Sequence, residues 1–143
     1  MKESYNLLNS IYNNTDMGIT SIYKLLENGS KNESFREQIK HQANEYQEIK
    51  NEAENMLKQK GTHPRGINAF SKKMADISVK ANVNSDIGVA HCAEMMIKGS
   101  TMGINKIAKG MRENNNITEK ERRLAEKLLN TEQENIEKLI RFL

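Results

Sequence analysis

The sequence predicts an all-α fold, an antiparallel up-down-up-down four-helix bundle with an extra short helix between the second and third long helices. Turn-forming residues divide the chain into segments of roughly 25 residues, whose apolar residues recur with the 3.6-residue helical period. No segment alternates apolar and polar residues as a strand does. A composition of 36% hydrophobic and 29% charged residues with one Pro fits this class. We expect one domain over residues 1–143, because this length supports one core and leaves little room for a second.

Clusters of Gly, Asn, Ser and Pro mark the connections between the predicted helices. These clusters lie at residues 28–30, 61–66, 82–85 and 113–116. Two helix starts carry the pattern of a capping box, Ser30 with Glu33 and Thr118 with Glu121. The shorter segment 67–81 is predicted as the extra helix. It either continues into the third long helix or folds across the mouth of the bundle.

Each long helix has a polar residue near the middle of its apolar stripe. In antiparallel helices joined by short connections, such residues meet at one level. We therefore predict a polar layer in the core, made of Thr15, Gln42, Glu45, Ser100, Glu132 and Asn135. A polar pair such as Glu132 and Asn135 in an apolar stripe indicates a site, the remnant of a site, or a device that fixes helix register.

A bundle with a polar layer at mid-height resembles the ferritin-like superfamily. The run Lys98-Gly99-Ser100-Thr101 is similar to an Arg-Gly-Glu-Asp run of some bacterial ferritin-like families, and the loop at residues 61–62 followed by a short helix also fits them. The resemblance spans essentially the whole chain. It implies a carboxylate-bridged metal site with one Glu from each of two helices and Glu-x-x-His from each of the other two.

The sequence departs from the implied ligand set. Thr and Ser stand where the resemblance implies two carboxylates, while Gln-x-x-Glu and Glu-x-x-Asn replace the two Glu-x-x-His motifs. Two carboxylates and no imidazole remain, and hydroxyl and amide oxygens are poor iron ligands. We therefore favour a bundle without a cofactor. The alternative is iron or manganese held by Glu45, Glu132 and, if the third helix is rotated, Glu94.

Other residues with ligand or nucleophile chemistry have structural interpretations. His41 with Glu45 and His91 with Glu94 have helical spacing for a shared metal, but both histidines lie away from the apolar stripes, which favours solvated surface residues. Cys92 has no His partner in a triad-like arrangement, so we predict a small buried side chain rather than a nucleophile.

Basic residues concentrate in the middle of the chain, where residues 58–112 carry ten Lys and Arg against three Asp and Glu. Six of them gather around the second connection: Lys58, Lys60, Arg65, Lys72, Lys73 and Lys80. No aromatic residues interleave with this basic patch and no helix-turn-helix pattern accompanies it, which favours a solvated face over a nucleic-acid site. A basic nucleic-acid-binding protein is the second alternative.

The sequence contains no Gly-rich phosphate loop, nucleophile elbow or paired zinc cysteines, so it supports no ordinary enzyme class. A single cysteine, with no signal peptide or long apolar run, predicts a cytoplasmic protein without a membrane segment. We predict a non-catalytic structural or protein-interaction module that forms a homodimer or binds a protein partner. The alternative function is an iron- or manganese-dependent oxidoreductase or metal-handling protein with an atypical carboxylate site.

Overall fold

The structure is a computed structural model that describes residues 2–27, 31–65 and 86–143. Within these ranges it contains four α-helices and no strand: α1 (Lys2–Glu27), α2 (Glu33–Gln59), α3 (Asp86–Glu113) and α4 (Glu119–Ile140). The predicted all-α class is confirmed. The predicted short helix at 67–81 lies outside the described residues.

Side-chain caps start two of these helices. Thr118 precedes α4, and its hydroxyl accepts a hydrogen bond from the backbone N–H of Glu121 at 3.2 Å, as the sequence predicted. Asn32 precedes α2, and its Oδ1 accepts from the backbone N–H of Phe35 at 2.9 Å. The predicted cap Ser30 lies outside the described residues. Because Asn32 is the N-cap and Lys31 is not helical, α2 begins two residues later than the start predicted at Ser30.

The core consists of the apolar stripes of all four helices, whose buried residues form one cluster. Its largest fully buried side chains include Ile11, Phe35, Ile49, Ile107, Leu128 and Leu139. Burying side chains of this size stabilises a fold by about 1.5 to 3 kcal/mol each. None of the four described helices carries an apolar stretch of the length and hydrophobicity needed to cross a bilayer.

Contacts at both ends pair α2 with α4. The rings of Phe35, early in α2, and Phe142, just after α4, pack edge to face with centroids 5.3 Å apart. At the other end, Nζ of Lys60 lies 2.9 Å from Oε1 of Glu121. The beginning of α2 therefore lies near the end of α4, and the end of α2 near the beginning of α4.

Close approaches also pair α1 with α3. A Cβ placed on Gly110, near the end of α3, would lie 3.3 Å from Cδ1 of Leu7, near the beginning of α1. Seven residues further along α1, Asn14 lies against Gly103. Early residues of α1 thus meet late residues of α3. These approaches bring the middle of α1 and α3 over the middle of α4.

Candidate functional site

A buried carboxyl group joins the four helices at mid-height. Glu132 on α4 is only 2% exposed. Its Oε1 accepts hydrogen bonds from the phenol of Tyr46 on α2 and from the hydroxyl of Ser100 on α3, the latter at 3.3 Å. Its Oε2 accepts from the side-chain amide of Asn14 on α1 at 3.2 Å. All three donors are neutral, so Glu132 receives hydrogen bonds without a compensating positive charge.

Two glycines make room for this arrangement. A Cβ on Gly18 would lie 2.6 Å from a ring carbon of Tyr46, and a Cβ on Gly103 would lie 2.7 Å from both the Asn14 side-chain oxygen and Glu132 Oε2. These separations are far below carbon–carbon and carbon–oxygen contact distances. Both positions therefore need glycine, because the helix backbones approach the buried side chains so closely.

Burial strongly changes the proton affinities in this group. It raises the pKa of Glu132 from its ordinary 4.5 to about 7; hydrogen bonds from Tyr46, Asn14 and Ser100 oppose the rise, and the nearby Glu45 charge adds to it. Burial also holds the pKa of Tyr46 well above its ordinary value, with the Glu132 charge as the next cause. The phenol of Tyr46 therefore stays protonated, and the carboxyl of Glu132 loses its proton near neutral pH.

The structure buries most of the predicted polar layer. Five of its six members are buried, namely Thr15, Gln42, Ser100, Glu132 and Asn135, and Glu45 is partly buried. These six side chains differ in the hydrogen bonds that they form. The Thr15 hydroxyl donates back to the carbonyls of its own helix, at 2.9 Å from the oxygens of Ile11 and Tyr12. It is thereby satisfied within α1.

Two buried amides beside this carboxyl lack partners. Neither the nitrogen nor the oxygen of the Gln42 and Asn135 side chains has a hydrogen-bond partner among the described residues, and Oε1 of Glu45 has none either. Asn135 lies close enough to Tyr46 to lower the pKa of its phenol, yet its geometry does not meet that of a hydrogen bond. An unsatisfied buried group of this kind costs about 1 to 3 kcal/mol.

A cleft between α1 and α3 leads to the carboxyl of Glu132. It has a volume of about 50 Å³, enough for a few waters or a small ligand. Asn14, Ser100 and Glu132 contribute its polar surface, together with Ser21. Its remaining walls are mostly apolar and include the methionines Met17, Met95 and Met96.

The structure does not bring Glu94 into the site. Glu94 is exposed on α3 and forms an ion pair with Lys98, Nζ to Oε1 3.3 Å, because the two residues are one helical turn apart. The rotation of the third helix that would turn Glu94 inward is therefore not observed. His91 is also exposed, and His41 lies 3.7 Å from Glu45 on the surface of α2. Within the described ranges, no three His, Cys, Asp or Glu side chains lie together as a metal-binding group.

Only part of the predicted basic patch can be described. Lys58 forms an ion pair with Glu54 at 3.3 Å, and Lys60 with the buried Glu121 at 2.9 Å. Arg65 donates its backbone N–H to Asn9 at 3.0 Å. Lys72, Lys73 and Lys80 lie outside the described residues. Intramolecular carboxylates thus already neutralise two of the three described basic residues.

Cys92 is buried, and burial raises the pKa of its thiol from 9.0 to about 11. The predicted small buried side chain is confirmed. A thiol with this pKa is almost wholly protonated at neutral pH, and the thiolate is the reactive form.

Sequence reasoning missed the partners of Glu132. Tyr46 falls on the apolar face of the second predicted helix and so passes for a core residue, although a buried tyrosine usually needs a partner for its hydroxyl. Asn14 lies beside the stripe of α1 and had no periodicity to mark it. Glycines inside helices, as at Gly18 and Gly103, were the available signal, because such residues often mark a close approach.

No protein-family model, curated protein or solved structure gives a significant match to this chain.

Proposed function

We propose that this chain is a ferritin-like helical bundle without a catalytic metal centre, acting as a structural or protein-interaction module. The observation that carries the proposal is the bonding of Glu132. Tyr46, Ser100 and Asn14 direct O–H and N–H groups at both oxygens of the one fully buried carboxyl in the polar layer. These donors fill the lone pairs of Oε1 and one of those of Oε2, so the carboxylate can no longer bridge two metal ions through both oxygens.

The donor set of the layer also fits a metal poorly. A carboxylate-bridged centre of the ferritin-like kind takes about six carboxylate and imidazole ligands. Here the corresponding positions offer two carboxylates, on Glu45 and Glu132, and otherwise amides and hydroxyls. Thr15 is already engaged by its own helix. The residues present therefore do not fit a di-iron or di-manganese centre.

We infer that α1 and α4 run in one direction and α2 and α3 in the other. The approaches of Leu7 to Gly110 and of Lys60 to Glu121 support opposite directions for α1 and α3 and for α2 and α4. Arg36, early in α2, donates to the backbone carbonyl of Leu26, late in α1, at 3.3 Å, which supports opposite directions for α1 and α2. The inferred order is then up-down-down-up, which differs from the up-down-up-down order expected from the sequence. One long crossover between the second and third helices distinguishes ferritin-like bundles from simple up-down bundles. The inferred directions thus agree with the resemblance noted in the sequence.

We further propose that the module self-associates or binds a protein partner in the cytoplasm. Such an interface would use large apolar side chains that are exposed in the structure, among them Tyr23 on α1 and Met102 on α3. Light scattering coupled to size exclusion should give a mass of two chains. A single-chain mass across the micromolar range, together with no partner recovered by cross-linking in the host cell, would contradict this part of the proposal.

Metal analysis tests the central claim. The protein is produced with iron, manganese and zinc supplied, and the metal content per chain is measured in parallel for the parent and for Glu132→Ala. We expect metal far below one ion per chain in both. Near-stoichiometric metal in the parent that Glu132→Ala removes would overturn the proposal and favour the metal-dependent alternative.

A further inference from the structure

We propose that the cleft between α1 and α3 binds a small organic cation, a protonated amine with a short alkyl chain, whose ammonium group pairs with Glu132. This binding site goes beyond the structural role proposed above. Three observations support it: the charge at the floor of the cleft, the access to that charge, and the chemistry of the walls.

The floor of the cleft is a carboxylate without a counter-ion. Neutral groups on Tyr46, Asn14 and Ser100 supply every hydrogen bond that Glu132 receives. In the described part of the chain no Lys, Arg or His forms an ion pair with it, and the nearby Glu45 has the same charge. A buried carboxylate is stabilised mainly by pairing with a cation. Its Oε2 accepts one hydrogen bond from the protein and has capacity for another.

The cleft gives access to this carboxylate from the surface. Glu132 itself lines the cleft, with Asn14 and Ser100 beside it. A further lining position, Gly99, has no side chain that could narrow the passage. The resulting volume of about 50 Å³ suits an ammonium group and a few carbon atoms.

The walls favour an organic cation over an inorganic one. Protein sites for Ca²⁺ and Mg²⁺ usually rely on more than one carboxylate, whereas this cleft offers only that of Glu132. Instead Met17, Met95 and Met96 present flexible thioether side chains, and Tyr46 presents an aromatic ring. Methionines adapt to small apolar groups, and aromatic rings attract cations. An alkylammonium ion matches both the charged floor and the apolar walls.

Titration with n-butylammonium chloride at about pH 8, where the Glu132 carboxyl is ionised, tests the proposal, with n-butanol as the neutral analogue of the same shape. Binding is followed by calorimetry and by NMR of methyl-labelled methionines. We expect saturable millimolar binding of the amine, with shifts at Met17, Met95 and Met96. The affinity for butanol should be lower than that for the amine by at least about tenfold, as expected when an ion pair is lost.

Variants separate the site from non-specific effects. Glu132→Gln should weaken amine binding about tenfold or more, whereas Glu94→Gln, which removes an exposed carboxylate of the same type, should leave it unchanged. Met17→Lys places a tethered ammonium at the cleft and should abolish binding of the free amine. Circular dichroism and the methionine spectrum verify that each variant is folded.

Several results would overturn the proposal. They are the absence of saturable binding to the folded parent, equal binding of butanol and butylammonium, and unchanged binding in both folded Glu132→Gln and folded Met17→Lys. Displacement of the amine from the methionine methyls by stoichiometric Mn²⁺ or Ca²⁺ would also overturn it, in favour of an inorganic cation.

Discussion

The phenol of Tyr46 on α2 donates a hydrogen bond to the carboxyl of Glu132 on α4, across 86 residues of sequence. Because Ser100 and Asn14 bind the same carboxyl, one side chain holds all four helices in register. Such a device stabilises one arrangement of helices against others that bury the same apolar stripes.

Ionisation of Glu132 should destabilise the fold as pH rises towards neutrality. Its pKa is about 7 in the folded protein against an ordinary 4.5, so between these values the folded state binds the proton and the unfolded state does not. The stabilisation that protonated Glu132 gives the folded state is therefore fully present below the lower pKa. It is lost as the pH rises through the higher pKa. The difference corresponds to on the order of 3 kcal/mol.

Urea unfolding of the parent and Glu132→Gln at about pH 5 and pH 8 measures this effect. The variant should be tolerated, and its stability relative to the parent should increase by up to about 3 kcal/mol at the higher pH. The titratable groups that face Glu132 are Tyr46 and Glu45 of α2; its partners from α1 and α3 are neutral. Glu94→Gln serves as the exposed control. A difference between parent and Glu132→Gln that does not change with pH contradicts the prediction.

Apolar replacement of the unpartnered amides should stabilise the protein. Gln42→Met and Asn135→Leu each remove a buried amide that has no hydrogen-bond partner among the described residues. We expect each to raise the free energy of unfolding by about 1 to 2 kcal/mol, because the desolvation cost disappears while volume is kept. Asn14→Leu is the matched control. It removes a working donor to Glu132, so it should lower stability. Destabilisation by both Gln42→Met and Asn135→Leu would indicate that their amides are satisfied.

Alanine should be tolerated at Gly110 of α3 but should destabilise the protein at Gly18 of α1. In Gly18→Ala the new methyl group would lie 2.6 Å from the Tyr46 ring, so we expect a loss of about 1 to 3 kcal/mol. At Gly110 the new methyl would meet the end of the Leu7 side chain at 3.3 Å, which can move, and would lie in ordinary contact with Asn114 Nδ2 at 3.9 Å. Gly110→Ala should be neutral, or stabilising by up to about 1 kcal/mol through helix propensity. Equal melting temperatures of the two variants would contradict the close approach of Gly18 to Tyr46.

The Cys92 thiol should react slowly in the folded protein. Raising its pKa from 9.0 to about 11 lowers the thiolate population at neutral pH roughly a hundredfold, and burial excludes the reagent further. The rate of iodoacetamide modification, measured by mass spectrometry, should rise by at least this factor when the chain is unfolded in urea. Rapid modification of the folded chain would show that the thiol is accessible.

The sequence predicted the parts of the structure that depend on local periodicity. Residue spacing and local hydrogen bonding predicted the all-α class, the cap at Thr118 and the polar positions that are buried in the core. Helix directions depend on the path of a connection, which spacing does not encode. The partners of Glu132 come from three other helices, so no local pattern could identify Tyr46 or Asn14. The exposure of Glu94 was predictable, since Lys98 follows it at the spacing of a surface ion pair.

The close approach at Gly103 links three positions far apart in sequence. A Cβ there would meet both the Asn14 amide and the Glu132 carboxyl, so the size of residue 103 limits what residues 14 and 132 can be. Substitutions at these positions should have non-additive effects, in which a larger residue at 103 becomes acceptable only with a smaller one at 14 or 132. In evolutionary terms, the three positions should change together in related chains, and drift at any one of them alone should be rare.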